Sequence, residues 1–278
     1  LIIACEEGEV AFDIPALEKE NTSVEFIENE EDLNYETLLH LHQKYQPTQV
    51  MIEYNGMWDN TKFVDEICID QWQVVQILTT ISAETFDLYY NNMRGQFVYH
   101  VTGSDLVIVN RCDENTKKYP IRGSIKSLNP MCQIVYENKN RQIEDLTVND
   151  LPYNLNDDYI EVNDMDYGIF CMHIMENPQI YENKTIKIKG KVIGRDKLIE
   201  NGFVLGRQAM VCCSDDMQLL GLVCISKYAK DLIKDEWLVV DGTISLEYDE
   251  SIQSNIPILH VDHLEGAKPL ENEYVTFD

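Results

Sequence analysis

Long apolar runs are missing from this 278-residue chain. No window reaches the ~18 consecutive apolar residues of a membrane span, and no basic-then-apolar leader is visible. Cations are scarce: 22 Lys and Arg stand against 49 Asp and Glu, a formal net charge of -27. Phosphate backbones and anionic lipid surfaces both demand a cation surplus, so neither nucleic acid nor a membrane surface is an expected partner. The cysteines number eight, at 5, 68, 112, 132, 171, 212, 213 and 224, with no Cys-x-x-Cys spacing and no disulfide framework among them. Most sit in apolar stretches, as buried free thiols do, so a reducing, cytoplasmic setting is expected. Neither a nucleophile elbow nor a Ser/His/Asp order occurs, and no internal repeat is visible.

What is present divides by period. In the first half, short apolar runs at 1–5, 49–54, 74–80, 105–110 and 132–136 alternate with helix-like stretches at 32–45, 61–70, 83–101 and 121–128. Leu38, Leu41 and Tyr45 share a helix face, and Pro47 stops that helix. Strand alternating with helix predicts an α/β domain, a mostly parallel sheet with helices on both faces, over residues 1–145. Residues 146–164 are polar and acidic and read as a linker. A short helix near 165–176 follows. From Thr185 the period falls to two: Ile186, Ile188, Gly190 and Val192 alternate with Lys187, Lys189 and Lys191. Further strands at 202–213, 219–226, 237–248 and 257–264, with a helical piece at 227–233 between the third and fourth, predict an all-β OB-like barrel over residues 165–278.

Two strand ends carry chemistry. The run QVMIEYNG closes a strand on Glu53, with Gly56 three residues later. An acid at such a strand end holds Mg²⁺ directly or through water, and a glycine lets a backbone amide approach a terminal phosphate. The run DLVIVNRCD closes another strand on Asn110, Arg111 and Asp113. A carboxylate in the place of Asp113 accepts a pair of hydrogen bonds that guanine offers and adenine does not. Asn110 would buttress that loop, and the stem of Arg111 would stack on the base.

In order and spacing these residues resemble the CobW/HypB/UreG group of P-loop GTPases, CobW most of all, over about residues 1–136. Residues 6–13, with Glu7, Glu9 and Asp13, are similar to that family's first switch segment. Glu53 to Gly56 resemble its Glu-x-x-Gly motif, Asn110 to Asp113 its guanine-specifying motif, and Leu128-Asn129-Pro130 its closing segment. The resemblance implies GTP or GDP with Mg²⁺, catalytic work at Glu53 and Gly56, and a nucleotide-dependent role in metal trafficking. The family's phosphate-cradling loop, Gly-x-x-x-x-Gly-Lys-Ser/Thr, occurs nowhere in this sequence. Leu1 opens in mid-strand, so that loop is expected before it, and the chain as it stands is not expected to hydrolyse GTP. The family's Cys-x-Cys-Cys is also missing from 24–32, VEFIENEED.

In the last third, Cys212 and Cys213 are adjacent, and Cys224 lies in the next strand. A hairpin here would bring Cys224 across the ladder toward one of them, with Cys171, His173, His260 or His263 completing a Zn²⁺ or other transition-metal site. Buried thiols are the alternative. The segments NKTIKIKGKVIG, FVLGRQAMVCCSDDMQLLGLVC and EWLVVDGTI resemble the C-terminal domain of the YcgQ-like family, accessory subunits of a two-part membrane permease. That resemblance covers about residues 165–270 and implies a metal-requiring client or a permease subunit as partner. A degenerate, non-catalytic GTPase serving as a scaffold, or as a metal- or thiol-binding accessory protein of the permease, is the alternative to the GTPase reading.

Overall fold

The computed structural model describes every residue except 9, 61, 197–198, 211–216, 251–252 and 276–278. The chain forms two compact units, Leu1–Ile81 with Thr85–Ile108 and Ser82–Glu84 with Val109–Asp278.

The first unit opens with β1 (Ile2–Ala4), α1 (Ile14–Lys19), β2 (Val24–Phe26), α2 (Tyr35–Tyr45) and β3 (Met51–Glu53). β1 lies between β2 and β3 and is parallel to both. Helix α2 is bounded as its sequence dictates. The Asn34 side chain accepts from the Thr37 amide at 3.0 Å, and Gln46 turns left-handed at φ 45° before Pro47. Its Leu38 and Leu41 enter a core with Ile3, Cys5, Ile27, Leu33 and Ile69. The helix expected over 61–70 is reduced to one wide turn, Phe63–Ile67. The strand expected at 74–80 forms later, as β4 (Leu78–Ser82). Two helices follow, α3 (Phe86–Asn92) and α4 (Arg94–Thr102), then β5 (Leu106–Cys112). β5 belongs to a different sheet from β1, β2 and β3. The single sheet expected for the first half is therefore two smaller ones.

The second unit continues with α5 (Lys118–Leu128), the antiparallel pair β6 (Gln133–Asn138) and β7 (Ile143–Glu144), and β8 (Tyr159–Glu161). α6 (Tyr167–Glu176) and α7 (Pro178–Tyr181) lead into β9 (Thr185–Arg195), β10 (Gly202–Met210), β11 (Met217–Ile225), β12 (Trp237–Asp249) and β13 (Ser254–Gly266). β9 pairs with β10, β10 with β11, β11 with β13, β13 with β12, and β12 with β9 again. The ring is closed in the order one-two-three-five-four, and its third and fifth strands run parallel while every other pair is antiparallel. That is the strand order of an OB barrel, a five-stranded Greek key, with β8 added along β9.

The helix expected at 227–233 is a run of turns, with Ala229 and Asp231 donating to carbonyls three residues back. Its Ala229 is itself buried in the barrel core, together with Tyr167, Phe170, Ile174 and Tyr181 of α6 and α7 and Ile186, Phe203 and Ile244 of the barrel. The basic strip of β9 is neutralised: Lys187 pairs with Glu161 at 2.9 Å, Lys189 with Asp164 at 3.9 Å and Lys191 with Glu273 at 2.7 Å.

Candidate functional site

The first candidate site lies at the carboxyl ends of β1 and β3, where parallel sheets present their ligands. The Cys5 amide donates to the Glu53 carbonyl at 2.9 Å, extending the ladder one residue past β1. Asn55 donates through Nδ2 to the Cys5 carbonyl at 3.2 Å and accepts from the Met57 amide at 2.9 Å. The Gly56 amide donates to Glu6 Oε2 at 3.3 Å. These bonds bring the segment after β1 and the Glu53–Gly56 loop side by side. Burial, with the nearby Glu53 charge, pushes the Cys5 thiol up to about 11, so it stays protonated.

His100 of α4 fixes the same loop. Its Nδ1 lies 3.3 Å from Asn60 Nδ2, and its Nε2 lies 3.0 Å from the Gly56 carbonyl. An amide nitrogen only donates, so Nδ1 accepts and Nε2–H donates to Gly56. Sequence reasoning passed over His100, because a lone histidine on a helix carries no spacing signal. Gly56 itself is not demanded by the fold: a Cβ there would meet nothing closer than Glu6 Oε2, at 4.0 Å.

The remaining switch residues are placed differently. Glu7 is exposed. Glu9 lies outside the described residues. Asp13 caps α1, accepting from the Ala16 amide at 3.1 Å, and that structural task accounts for its carboxylate.

Asp113 follows β5, not a strand of the sheet that carries Glu53. Its Oδ1 accepts from the Asn115 amide at 3.0 Å and from Thr116 Oγ1 at 3.3 Å, and its Oδ2 accepts from Lys139 Nζ at 3.1 Å. Lys139 above all, then the Asn115 amide, holds this carboxyl below its usual range. Lys139 also pairs with Glu84 at 2.9 Å. Arg111 is exposed and left-handed, at φ 58°. Asn110 Oδ1 is buried without a hydrogen-bond partner. An unsatisfied amide oxygen in this position is a group waiting for a loop or ligand donor.

The cysteine site is corrected in one respect. Cys212 and Cys213 lie outside the described residues. Cys224 is fully buried in β11, and the residue opposite it on β10 is Phe203 rather than a cysteine. Burial pushes its thiol up to about 12, and the same holds for Cys171 in α6. His260 bonds to Ser245 Oγ at 2.8 Å. No cluster of three metal-ligating side chains forms among the described residues.

His173 is 5% exposed and bonds through Nδ1 to the Tyr181 hydroxyl at 2.7 Å, which in turn meets the Tyr153 hydroxyl at 2.8 Å. Burial, aided by the Arg122 charge, lowers its pKa to about 4. Unfolding restores a value near 6.5. The unfolded chain then binds the extra proton first, so this stabilisation is complete above pH 6.5 and is lost as pH falls toward 4. The expected loss is about 3 kcal/mol. Urea denaturation across that window measures it, and a His173→Gln variant should lose about 3 kcal/mol less between pH 6.5 and 4 than the parent.

Residues 137–276 match the family described as the DUF1980 C-terminal domain. The chain belongs to this family. The matched DUF1980 region takes in the whole barrel with α6 and α7, and also β7 and β8. A curated relative, the UPF0703 protein YcgQ of Bacillus subtilis (strain 168), is 23% identical over 116 residues, which is 42% of this chain and 41% of that protein. The match therefore spans less than half of the relative. Among solved structures, a small single-stranded DNA-binding protein from Streptomyces coelicolor aligns at 13% identity and a TM-score of 0.21, over 30% of this chain and 93% of its own. The N-terminal domain of PriB from Thermoanaerobacter tencongensis aligns at 12% identity and a TM-score of 0.22, over 31% of this chain and 99% of its own. No helix among the described residues is long and apolar enough to cross a membrane.

Proposed function

We propose that this DUF1980-family chain works as part of a guanine-nucleotide-responsive accessory protein, similar to the CobW-type GTPases, whose barrel engages a metal-requiring client or a permease subunit. The observation that carries the reading is the meeting of Glu6, Glu53 and Gly56 at the carboxyl ends of β1 and β3. Carboxylates are the donors Mg²⁺ prefers. The Gly56 amide now donates to a carboxylate, so it is already in the business of binding an anionic oxygen. The space over Gly56 lets a phosphate oxygen approach. When bound, Mg²⁺ would supply charge neutralisation for the phosphates, with Glu53 and Glu6 as the acids on the two adjoining segments. Asp113, which lies in the second unit, is the guanine-reading carboxylate that the family resemblance implies.

No zinc chemistry is assigned to Cys224, whose neighbour across the ladder is Phe203. The scaffold reading draws on one observation of its own: both oxygens of Asp113 already have partners within the protein.

The test is a titration of the full-length gene product with fluorescent GDP and ADP in Mg²⁺. GDP should bind at least about 100-fold more tightly than ADP, and Asp113→Ala should erase that ratio, because an unpaired polar group is what rejects the wrong base. Glu53→Ala should weaken both nucleotides only when Mg²⁺ is present. Equal binding of the two nucleotides by the parent protein, or a ratio untouched by Asp113→Ala, would sink the GTPase reading and leave the scaffold.

A further inference from the structure

A second site lies in the unit that holds the barrel and shares no residue with the nucleotide site. A cavity of about 310 Å³ opens among α5, α6 and α7 and the segment before β8. At its wall stands His173, more than nine-tenths buried. The ring uses Nδ1 for Tyr181, while Nε2 has no partner among the described residues yet keeps contact with solvent. An imidazole nitrogen with no protein partner, in contact with solvent on a residue that lines a cavity, is open to a ligand's hydrogen bond.

We propose that this cavity binds a small neutral phenol, its ring on Tyr119 and its hydroxyl on His173 Nε2. Three features select that chemistry. First, the charged pair at the cavity is already matched: Arg122 Nη2 donates to both Glu176 oxygens at 2.8 Å. A charged ligand would lose water and would have to displace a partner from that pair. Second, Tyr119 is already set edge-on to the His173 ring, with centroids 5.6 Å apart, and the walls continue in Leu146, Val148 and Ile180. Such walls favour a flat apolar body, and aromatic rings add edge-to-face attraction. Third, the Tyr153–Tyr181–His173 chain can run in either direction, so Nε2 is a donor in one tautomer and an acceptor in the other. A hydroxyl serves both, because it donates and accepts. The low proton affinity of His173 keeps its ring neutral throughout the physiological range.

The experiment uses the 278-residue chain and p-cresol as the probe, with benzoate and cyclohexane as controls. The readout is the ¹⁵N shift of the histidine side chains. Eight heavy atoms give a ligand of this size a Kd on the order of 1 mM. The His173 Nε2 resonance should move saturably with p-cresol, and at least about tenfold more p-cresol than benzoate should be bound at equal concentration. Val148 and Ile180 are 48% and 41% exposed, so Val148→Arg and Ile180→Arg leave the core intact while filling the cavity mouth. Each should abolish the shift without moving the thermal midpoint. The proposal is overturned if Nε2 is unmoved at tenfold this Kd, if benzoate or cyclohexane moves it as far, or if both folded arginine variants bind p-cresol as the parent does.

Discussion

Asp164→Ala should destabilise the barrel unit by about 3 kcal/mol, although the side chain is 46% exposed. An aspartate that open is ordinarily replaced at a cost within ±0.5 kcal/mol. The difference lies in its partner. The Arg207 side chain is 2% exposed, and its guanidinium ion-pairs with the Asp164 carboxylate. The same guanidinium donates to the Asp164 carbonyl at 3.1 Å and, through Nε and Nη2, to the Lys189 carbonyl at 2.9 and 2.7 Å. It also lies 4.2 Å over the Tyr167 ring. Removing the carboxylate leaves a buried cation facing carbonyl dipoles, a π face and the nearby Lys189 ammonium. Loss of one member of a buried pair typically costs about 3–5 kcal/mol, and the remaining carbonyls hold the value near the lower end. Urea denaturation followed by tryptophan fluorescence measures it. Arg207→Met in the Asp164→Ala background should recover most of the loss, because an apolar side chain of similar reach leaves no charge behind. A cost under about 1 kcal/mol would show the pair to be an ordinary surface contact.

Gly242→Ala should cost about 2–3 kcal/mol, and Gly266→Ala, made as a control at the end of the neighbouring strand, close to nothing. A Cβ on Gly242 would stand 2.2 Å from the His260 carbonyl oxygen, far inside contact, and backbone rather than a flexible side chain is in the way. The register between β12 and β13 slips at Asp241/Gly242, so two residues crowd past one partner there. Gly221 is equally tight, 2.3 Å from the Leu205 carbonyl oxygen, and belongs to the same class. Gly266 meets nothing within 4 Å. Thermal unfolding of the two variants side by side checks the prediction. Equal midpoints would mean that the ladder yields at the bulge and that barrel closure is softer than its geometry implies.

The two halves of the chain were legible to different depths. β9 could be read residue by residue, because Ile186, Ile188 and Val192 alternate with lysines and the barrel needs that alternation to separate core from solvent. The stop of α2 before Pro47 was also written locally. The helix expected at 227–233 is a run of turns instead, and its Ala229 reaches the core without helical geometry. Of the candidate site, Glu53, Gly56, Asn110 and Asp113 could be named from strand ends alone. Asp13 caps a helix, His173 was legible only as a candidate metal ligand, and His100 and the Tyr153–Tyr181 pair gave no advance sign, since their meaning rests on partners 28 to 44 residues away.

Composition and short-range period, by themselves, determined an acidic two-part protein with an α/β first half and a β barrel after Thr185, because burial periodicity is a property of neighbours in the chain. Only the tertiary structure decided that the α/β strands divide between two sheets, that the β9 lysines are all paired with acids, and that Cys224 faces Phe203 across the ladder. Those outcomes depend on which distant strand supplies the next neighbour, and hydrogen-bond register, not local sequence, makes that choice.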